Sequence, residues 1–513
     1  MAEENKENSK KKKNKEDKKK QSYHWTDITA ENIIREKGDK DSYVLAAGIT
    51  PSGVVHVGNF REMITVDLVK RALEKKGKEV RFIYSWDDYD RFRKVPKNVN
   101  SSYEKYIGMP LTSIPSPHKK SENYAQHFEK EFEVSLEKVG IQPEFIHQTI
   151  MNTKCKYHKQ IKKSLDERKK IINILDKYRK ESLGKDWYPI IIYCEKCKKD
   201  FTKILEVKGY NIKYECKCGH ENQFDYRKKG IVKLKWRADW PARWVYEDVD
   251  FEASGIDHQV KGGSFMTGKE IVKDIFKEEG PIGLMYEWVR LKGGKEFSSS
   301  SGNAVSLEYV ESFYEPEILR YLFVGTRPKK GFQISFDADI IKEYEEFDDL
   351  EHRYFEGLVN PQEKRIYELS QINIPKKKPN KLGFKHLITL VQVGQTKNLN
   401  LDSKLRAEKV KNWLKQNAPD EFKFEFQDKI LGSFSDKEKE VLIELKEVLA
   451  TKKHTEDSLF NAFYEICNAR NISAKDFFKL CYETIIGKSK GPRLVSLILT
   501  IGQDKVVKLL EQI

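Results

Sequence analysis

Along the chain, the spacing of apolar positions changes character twice. The first twenty or so residues carry almost none, the next three hundred mix short apolar runs with helical stripes, and the remainder is striped at helical spacing nearly throughout. Tyr43-Val44-Leu45-Ala46-Ala47 is an unbroken apolar run, which predicts a strand buried on both faces. Met63, Val66, Leu68, Val69 and Leu73 then recur at helical spacing, so a helix runs from Val57 to Leu73. Glu79–Trp86 predicts a second strand, ending in Asp87-Asp88-Tyr89-Asp90. Strand, helix and strand in so short a span form a βαβ unit, which implies a parallel sheet with right-handed crossovers. Ligands bind beyond the carboxyl ends of such strands.

Further along, His127 to Val139 and Tyr157 to Lys180 read as long charged helices, an insertion covering that end of the sheet. Gly283–Leu291 predicts another strand and Phe332–Asp337 a last short one. Beyond it Ser435 and Glu438 form a capping box ahead of Val441, Leu442, Leu445 and Leu449. Stripes follow at Leu459, Phe460, Phe463, Tyr464 and Cys467, at Phe477, Phe478, Cys481 and Ile485, and from Leu494 to Leu510. These predict an all-helical domain, with 370–430 less regular and Lys376-Lys377-Lys378-Pro379 marking a loop.

Length and charge narrow the classes. A chain of 513 residues forms several domains with real cores. Its net charge of +15 suits a polyanionic partner such as nucleic acid. Residues 1–22 read as a disordered Lys-rich tail, yet 1–20 hold nine Lys against five acidic residues, so most of the excess lies elsewhere. No run is long enough to span a bilayer and the N-terminus is polar, so the expectation is a cytoplasmic protein with no membrane contact.

Chemistry concentrates at a few points. Between the first strand and helix lie Gly48, Thr50, Pro51, Ser52, Gly53, His56, Gly58 and Asn59. A glycine-bearing turn ahead of a helix start offers backbone N–H groups and a positive helix end to phosphate, and His56 and Asn59 face the same bound group. Asp87-Asp88 falls at the same sheet edge, read equally as a helix cap or as a partner for a cationic ligand group. Of seven cysteines, Cys194, Cys197, Cys216 and Cys218 cluster as two pairs, which predicts a structural, fully ligated Zn2+. His220 is an alternative to one thiol, and Cys155, Cys467 and Cys481 read as free or buried thiols. Trp236, Trp240 and Trp244 with Arg237 and Arg243 offer stacking and a clamp for a planar or anionic ligand. Gly255-Ile256-Asp257-His258 and Gly262-Gly263-Ser264 form a glycine-bracketed loop. Lys295 through Ser298, Ser299, Ser300 and Ser301 to Asn303 is either a flexible linker or a second phosphate cradle.

Together these motifs resemble the class I aminoacyl-tRNA synthetases. His56-Val57-Gly58-Asn59 is similar to their His-Ile-Gly-His signature, and Lys295 to Asn303 to their Lys-Met-Ser-Lys-Ser loop. Ala47 to Gly53, Tyr84 to Tyr89, the Cys pairs, Asp239-Trp240-Pro241 with Arg243-Trp244, and Asp257-His258 with Gly262 to Phe265 resemble the lysyl members of that class. The resemblance implies an α/β, Rossmann-type catalytic domain over 23–310 with a zinc-bearing insertion at about 186–228. A connecting stem over 311–345 and an all-helical anticodon-binding domain over 346–513 would follow. It further implies a lysine–tRNA ligase using ATP with Mg2+, partnered by tRNA(Lys) and lysine, with a monomer as the default. His56, Asn59, Lys295 and Ser298–Ser300 would be catalytic; Pro51, Ser52, Gly53, Gly58 and Ser301 would add to ATP binding. Gly48, Thr50, Trp240, Asp257, His258 and Tyr286 would build the lysine pocket. Asp87 is the candidate partner for the ε-ammonium, because a buried cation needs an anion. Two departures stand out: Asn59 replaces a second His, and the loop's usual lysines fall at Glu296 and Ser301. A class I enzyme for glutamate or glutamine, or a weakly catalytic RNA-binding paralogue, are the alternatives.

Overall fold

A computed structural model describes residues 24–97, 99–117, 121–293 and 305–513. Contacts divide the chain into two compact units. One holds the chain up to Glu311 with Leu319–Ile334 and Val359–Ile374; the other holds Ser312–Ile318, Ser335–Leu358 and Pro375–Ile513.

The first unit is built on a five-stranded parallel sheet of β1 (Ser42–Ile49), β2 (Glu79–Trp86), β3 (Glu144–His147), β4 (Phe251–Gly255) and β5 (Ile282–Tyr286). Their order is β5-β4-β1-β2-β3, so the winding reverses between β1 and β4 and leaves a crevice at the carboxyl ends there. β1 and β2 pair along their whole length, Ser42 against Glu79 to Ile49 against Trp86. The apolar runs behave as their lack of alternation requires: Leu45, Ala46 and Ala47 are buried, and so is all of β4. Helix α1 (Val57–Lys75) crosses from β1 to β2 with Val57, Phe60, Met63, Val66, Val69 and Leu73 against the core.

Three expected elements differ. The strand over Gly283–Leu291 breaks after Tyr286; Val289–Leu291 leaves the central sheet and pairs in parallel with Phe332–Ile334. The break is where the Glu287 N–H turns to the Pro328 carbonyl (2.9 Å) and Trp288 points outward. The Tyr157–Lys180 helix is two, His158–Asp166 and Arg168–Asp176, meeting at Glu167. Ile256–Gln259, read as loop, is a single helical turn.

The insertion rests on an antiparallel pair, Ile190–Ile192 with Val232–Leu234, and carries a three-stranded antiparallel sheet over Thr202–Lys208, Asn211–Cys216 and Glu221–Asp225. In the second unit the capping box forms, with Glu438 accepting from the Ser435 N–H at 2.8 Å. Val441, Leu445, Leu459, Phe463, Phe477, Cys481 and Ile485 share one core. Phe460 and Tyr464 lie off that face, 37% and 43% exposed. The stretch read as irregular holds helices Phe384–Gln392 and Leu401–Gln416, the latter carrying a buried Arg406 between Glu315 (2.6 Å) and Asp348 (2.7 Å). Among the described residues no helix is long and apolar enough to cross a membrane.

Candidate active site

The turn from β1 to α1 sits at the sheet's switch point and opens on a cavity of about 580 Å3 lined by Gly48, Thr50, Ser52, His56, Asp87, Asp90 and His258. His56 caps α1, and its backbone N–H donates to Asn59 Oδ1 at 3.2 Å, which leaves the Asn59 amide group as a donor. Burial disfavours the imidazolium and lowers the His56 pKa to about 4, so at neutral pH the ring is an uncharged donor. Pro51 and Gly53 are buried, Ser52 is exposed, and the Tyr124 hydroxyl pins the Ser52 carbonyl at 2.9 Å. Gly48, Gly53 and Gly58 are absent from the positive-φ residues, so this turn uses no left-handed backbone. Gly48 is required by close packing: a Cβ there would stand 2.8 Å from the Ser85 carbonyl oxygen on β2.

The chain just after the late serine segment meets this turn. The Val57 N–H donates to the Val305 carbonyl at 2.9 Å, and Ser306 bridges to His56. Lys295, Ser298, Ser299, Ser300 and Ser301 themselves lie outside the described residues. On the cavity wall, Arg91 pairs with Asp200 at 3.2 Å, while Arg93 and Lys94 are exposed. Sequence reading passed over these cations, although Arg91-Phe92-Arg93-Lys94 directly follows the Asp87–Asp90 segment at a strand's carboxyl end.

Behind the cavity, and sharing Gly48, Asp87, Trp236 and His258 with it, is a slot of about 80 Å3. Helix α3 (Trp236–Glu247) supplies one wall: its three Trp are spaced four apart, and Trp236 and Trp240 stack with centroids 4.7 Å apart. His258 meets Trp240 edge-on at 5.4 Å, held by Ser264 Oγ at 2.6 Å from its Nδ1. Asp87 is already engaged: Arg243 donates to it at 2.5 Å and also meets Asp239 at 3.3 Å. Lys233 continues the ladder to Asp239 (2.6 Å) and Asp90 (3.1 Å), and Asp90 accepts from Thr50 Oγ1 at 3.0 Å. Burial opposes the charge on Arg243, but Asp87 and Asp239 outweigh it and raise its pKa.

Two other carboxylates line the slot without a cation. Glu62 accepts from the Gly48 N–H at 2.9 Å and the Tyr286 hydroxyl at 2.8 Å. Glu252 accepts from the indole N–H of Trp240 at 3.1 Å and from that of Trp244. Neither forms an ion pair among the described residues. Burial raises Glu62 to about 8 and Glu252 to about 7, with the Glu252 carboxylate adding to the rise at Glu62. Tyr286 thus reaches the slot through Glu62, and Asp257 stands apart, half exposed beside His258 at 3.6 Å. Glu62 and Glu252 were missed in the sequence. The signals were there: Glu62 repeats the three-residue step from His56 to Asn59, and Glu252 is a charge inside a wholly buried strand.

The four cysteines of the insertion converge. Cys194 Sγ is 3.6 Å from Cys218 Sγ, Cys197 Sγ is 3.6 Å from Cys216 Sγ, and all four lie within 4.8 Å of one another. Sulfurs bound at about 2.3 Å to a tetrahedral ion stand about 3.8 Å apart, so the set fits Zn2+. His220 is outside the cluster, so the alternative of a histidine ligand gains no support.

A family model described as tRNA synthetases class I (K) matches residues 23–373, and one for an anticodon binding domain matches 407–513. The chain is 42% identical to a lysine–tRNA ligase of Borreliella burgdorferi, covering 95% of this chain and 98% of the relative. It is 39% identical to that of Treponema pallidum (95% and 98%) and 38% identical to that of Pyrococcus horikoshii (94% and 98%). A doubly wound sheet, a glycine-bearing turn with His56 at its switch point and matches along nearly the whole length lead to one conclusion: this chain belongs to the class I (K) tRNA synthetases.

Proposed function

We infer that the protein is a lysine–tRNA ligase. The lysine carboxylate attacks the α-phosphorus of ATP, the bond to pyrophosphate breaks, and lysyl-adenylate forms. The terminal ribose hydroxyl of tRNA(Lys) then takes the lysyl group and AMP leaves. The observation that carries this reading is the union of the His56 turn with the Val305–Ser306 segment, which supports closure of the serine loop over phosphates lying against His56.

In the activation step charge builds on phosphate oxygens, so the protein's task is positioning and electrostatic stabilisation. His56 Nε2–H, the Asn59 amide and the α1 N-terminus donate to those oxygens, with Pro51, Ser52, Gly53 and Gly58 shaping the turn. Lys295 and Ser298–Ser301 are the candidates for contact with the β- and γ-phosphates. Arg93 and Lys94 add positive charge on the wall, which bears on the family's loop lysines being Glu296 and Ser301 here. Mg2+ accompanies ATP as counter-charge.

Lysine enters the slot with its stem along Trp240 and its ε-ammonium on Glu62, seconded by Glu252. This supersedes Asp87 as the ammonium partner, because Asp87 already neutralises Arg243. Gly48, Thr50, Asp257, His258 and Tyr286 frame the α-amino end or hold Glu62. Glutamate would add another carboxylate beside Glu62 and Glu252, so the slot disfavours the glutamate alternative. Zn2+ held by Cys194, Cys197, Cys216 and Cys218 supplies a cross-link of the insertion and takes no part in the reaction. The helical region from 346, which includes the anticodon-binding match, reads tRNA, and the protein works as a cytoplasmic monomer.

Amino-acid-dependent ATP–pyrophosphate exchange tests the reading. Lysine alone should support exchange; exchange with glutamate but not lysine, or none with any amino acid alongside tight tRNA binding, overturns it.

A further inference from the structure

A separate cavity of about 620 Å3 opens at the same end of the sheet, beside β2 and β3, and shares no lining residue with the slot or the nucleotide cavity. Three potential donors converge in it from three elements. Asp88 follows β2, His147 ends β3, and Glu129 projects from helix α2 (Tyr124–Lys138). His147 Nδ1 is 3.2 Å from Asp88 Oδ2 and 3.7 Å from Glu129 Oε2, and one donor atom of each residue lies within 4.8 Å of the others. We propose that Asp88, Glu129 and His147 bind a divalent transition-metal ion, distinct from the cysteine-held zinc.

The separations fit: oxygen and nitrogen donors at about 2.0 Å from a tetrahedral ion stand about 3.3 Å apart. Both carboxylates are withdrawn from solvent, Asp88 2% and Glu129 3% exposed. Glu129 Oε1 is fully enclosed and makes no hydrogen bond, a costly arrangement that a cation relieves. The Thr149 N–H donates to Asp88 Oδ1 at 2.7 Å, which orients Oδ2 toward the centre in the manner of an outer-shell ligand support. An ion pair alone is the competing account: a protonated His147 between two carboxylates. It leaves the enclosed Glu129 Oε1 without a partner, whereas a divalent ion on neutral imidazole draws in both carboxylates. One nitrogen and two oxygens suit Zn2+ or Co2+ better than Ca2+ or Mg2+, which take all-oxygen shells. With three protein ligands and a cavity alongside, the fourth position stays open to water or a small ligand.

Cobalt separates the two sites spectroscopically. The full-length protein, stripped by chelation, is titrated with Co2+ and washed. Two equivalents should be retained, one with intense thiolate charge-transfer absorption and one without. Glu129→Gln and His147→Gln should each lose only the second; Cys194→Ser with Cys216→Ser should lose only the first. Glu129→Gln preserves shape, and His147→Gln gives an independent check, with the melting of stripped protein confirming that both fold. A wild type retaining only the thiolate-bound equivalent, or a second equivalent surviving both the Glu129 and His147 changes, overturns the proposal.

Discussion

In the proposed role His56 donates as an uncharged ring. Burial holds its pKa at about 4 against 6.5 for an exposed imidazole, so the folded state takes up its proton later than the unfolded chain. The corresponding stability is present above pH 6.5 and is lost as pH falls toward 4. His56→Ala should slow single-turnover adenylate formation by about 10²–10³ and leave tRNA affinity unchanged. Equal losses in both would remove its assigned role. Glu62 has the opposite sign: its carboxyl is raised from 4.5 to about 8, so that stability is present below 4.5 and fades as pH rises through 8. If the ε-ammonium rests on ionised Glu62, the KM for lysine rises as pH falls below about 8, by at most about tenfold per unit. Glu62→Gln should flatten that dependence and weaken lysine binding by about 3 kcal/mol, roughly a hundredfold; an unchanged pH profile of KM would place the ammonium elsewhere. At this scale the sequence was legible where groups are close in the chain, as with His56 and Asn59. It was not legible where charge balance is long-range: Asp87 finds Arg243 156 residues away, and no spacing rule announces that pairing.

Elements were legible where one pattern dominates. β2 matches the strand expected at Glu79–Trp86 residue for residue, and α1 follows from its stripe. The Gly283–Leu291 run failed because continuity of apolar residues does not say which partner strand each half finds; β5 joins the central sheet and Val289–Leu291 joins Phe332–Ile334. At the switch point the element that bears most on the site is the β1–β2 contact at Gly48. Gly48→Ala would force a methyl against the Ser85 carbonyl and should destabilise by about 1–3 kcal/mol in denaturant unfolding, with the slot widened and lysine KM raised. If the four thiolates share a metal as proposed, the insertion draws part of its stability from it. Chelation, or Cys194→Ser with Cys216→Ser, should lower its protection from proteolysis and spare the sheet; a variant equally protected would show that the thiolates need no metal.

For the whole molecule, the chain passes between the two units from Ser312 to Ile374, where the sequence gives a connecting stem over 311–345 and a boundary with the helical domain at 345. Arg365, beyond that boundary, pairs with Asp27 at 2.8 Å, and the Leu369 carbonyl accepts from buried Arg320 at 3.2 Å, all within the first unit. A chain ended at 345 should therefore lose activation together with fold, whereas one ended after Ile374 should keep more pyrophosphate exchange than tRNA charging. Residues 1–20 carry nine Lys against five acidic residues, so deleting them should reduce the salt slope of tRNA binding without altering lysine activation. The most direct measurement is a crystal structure with a non-hydrolysable lysyl-adenylate analogue. The account places its phosphate surrogate within hydrogen-bond reach of His56 and Asn59 and its ε-ammonium on Glu62. A surrogate bound away from the β1–α1 turn, or an ammonium that displaces Arg243 from Asp87, would contradict it.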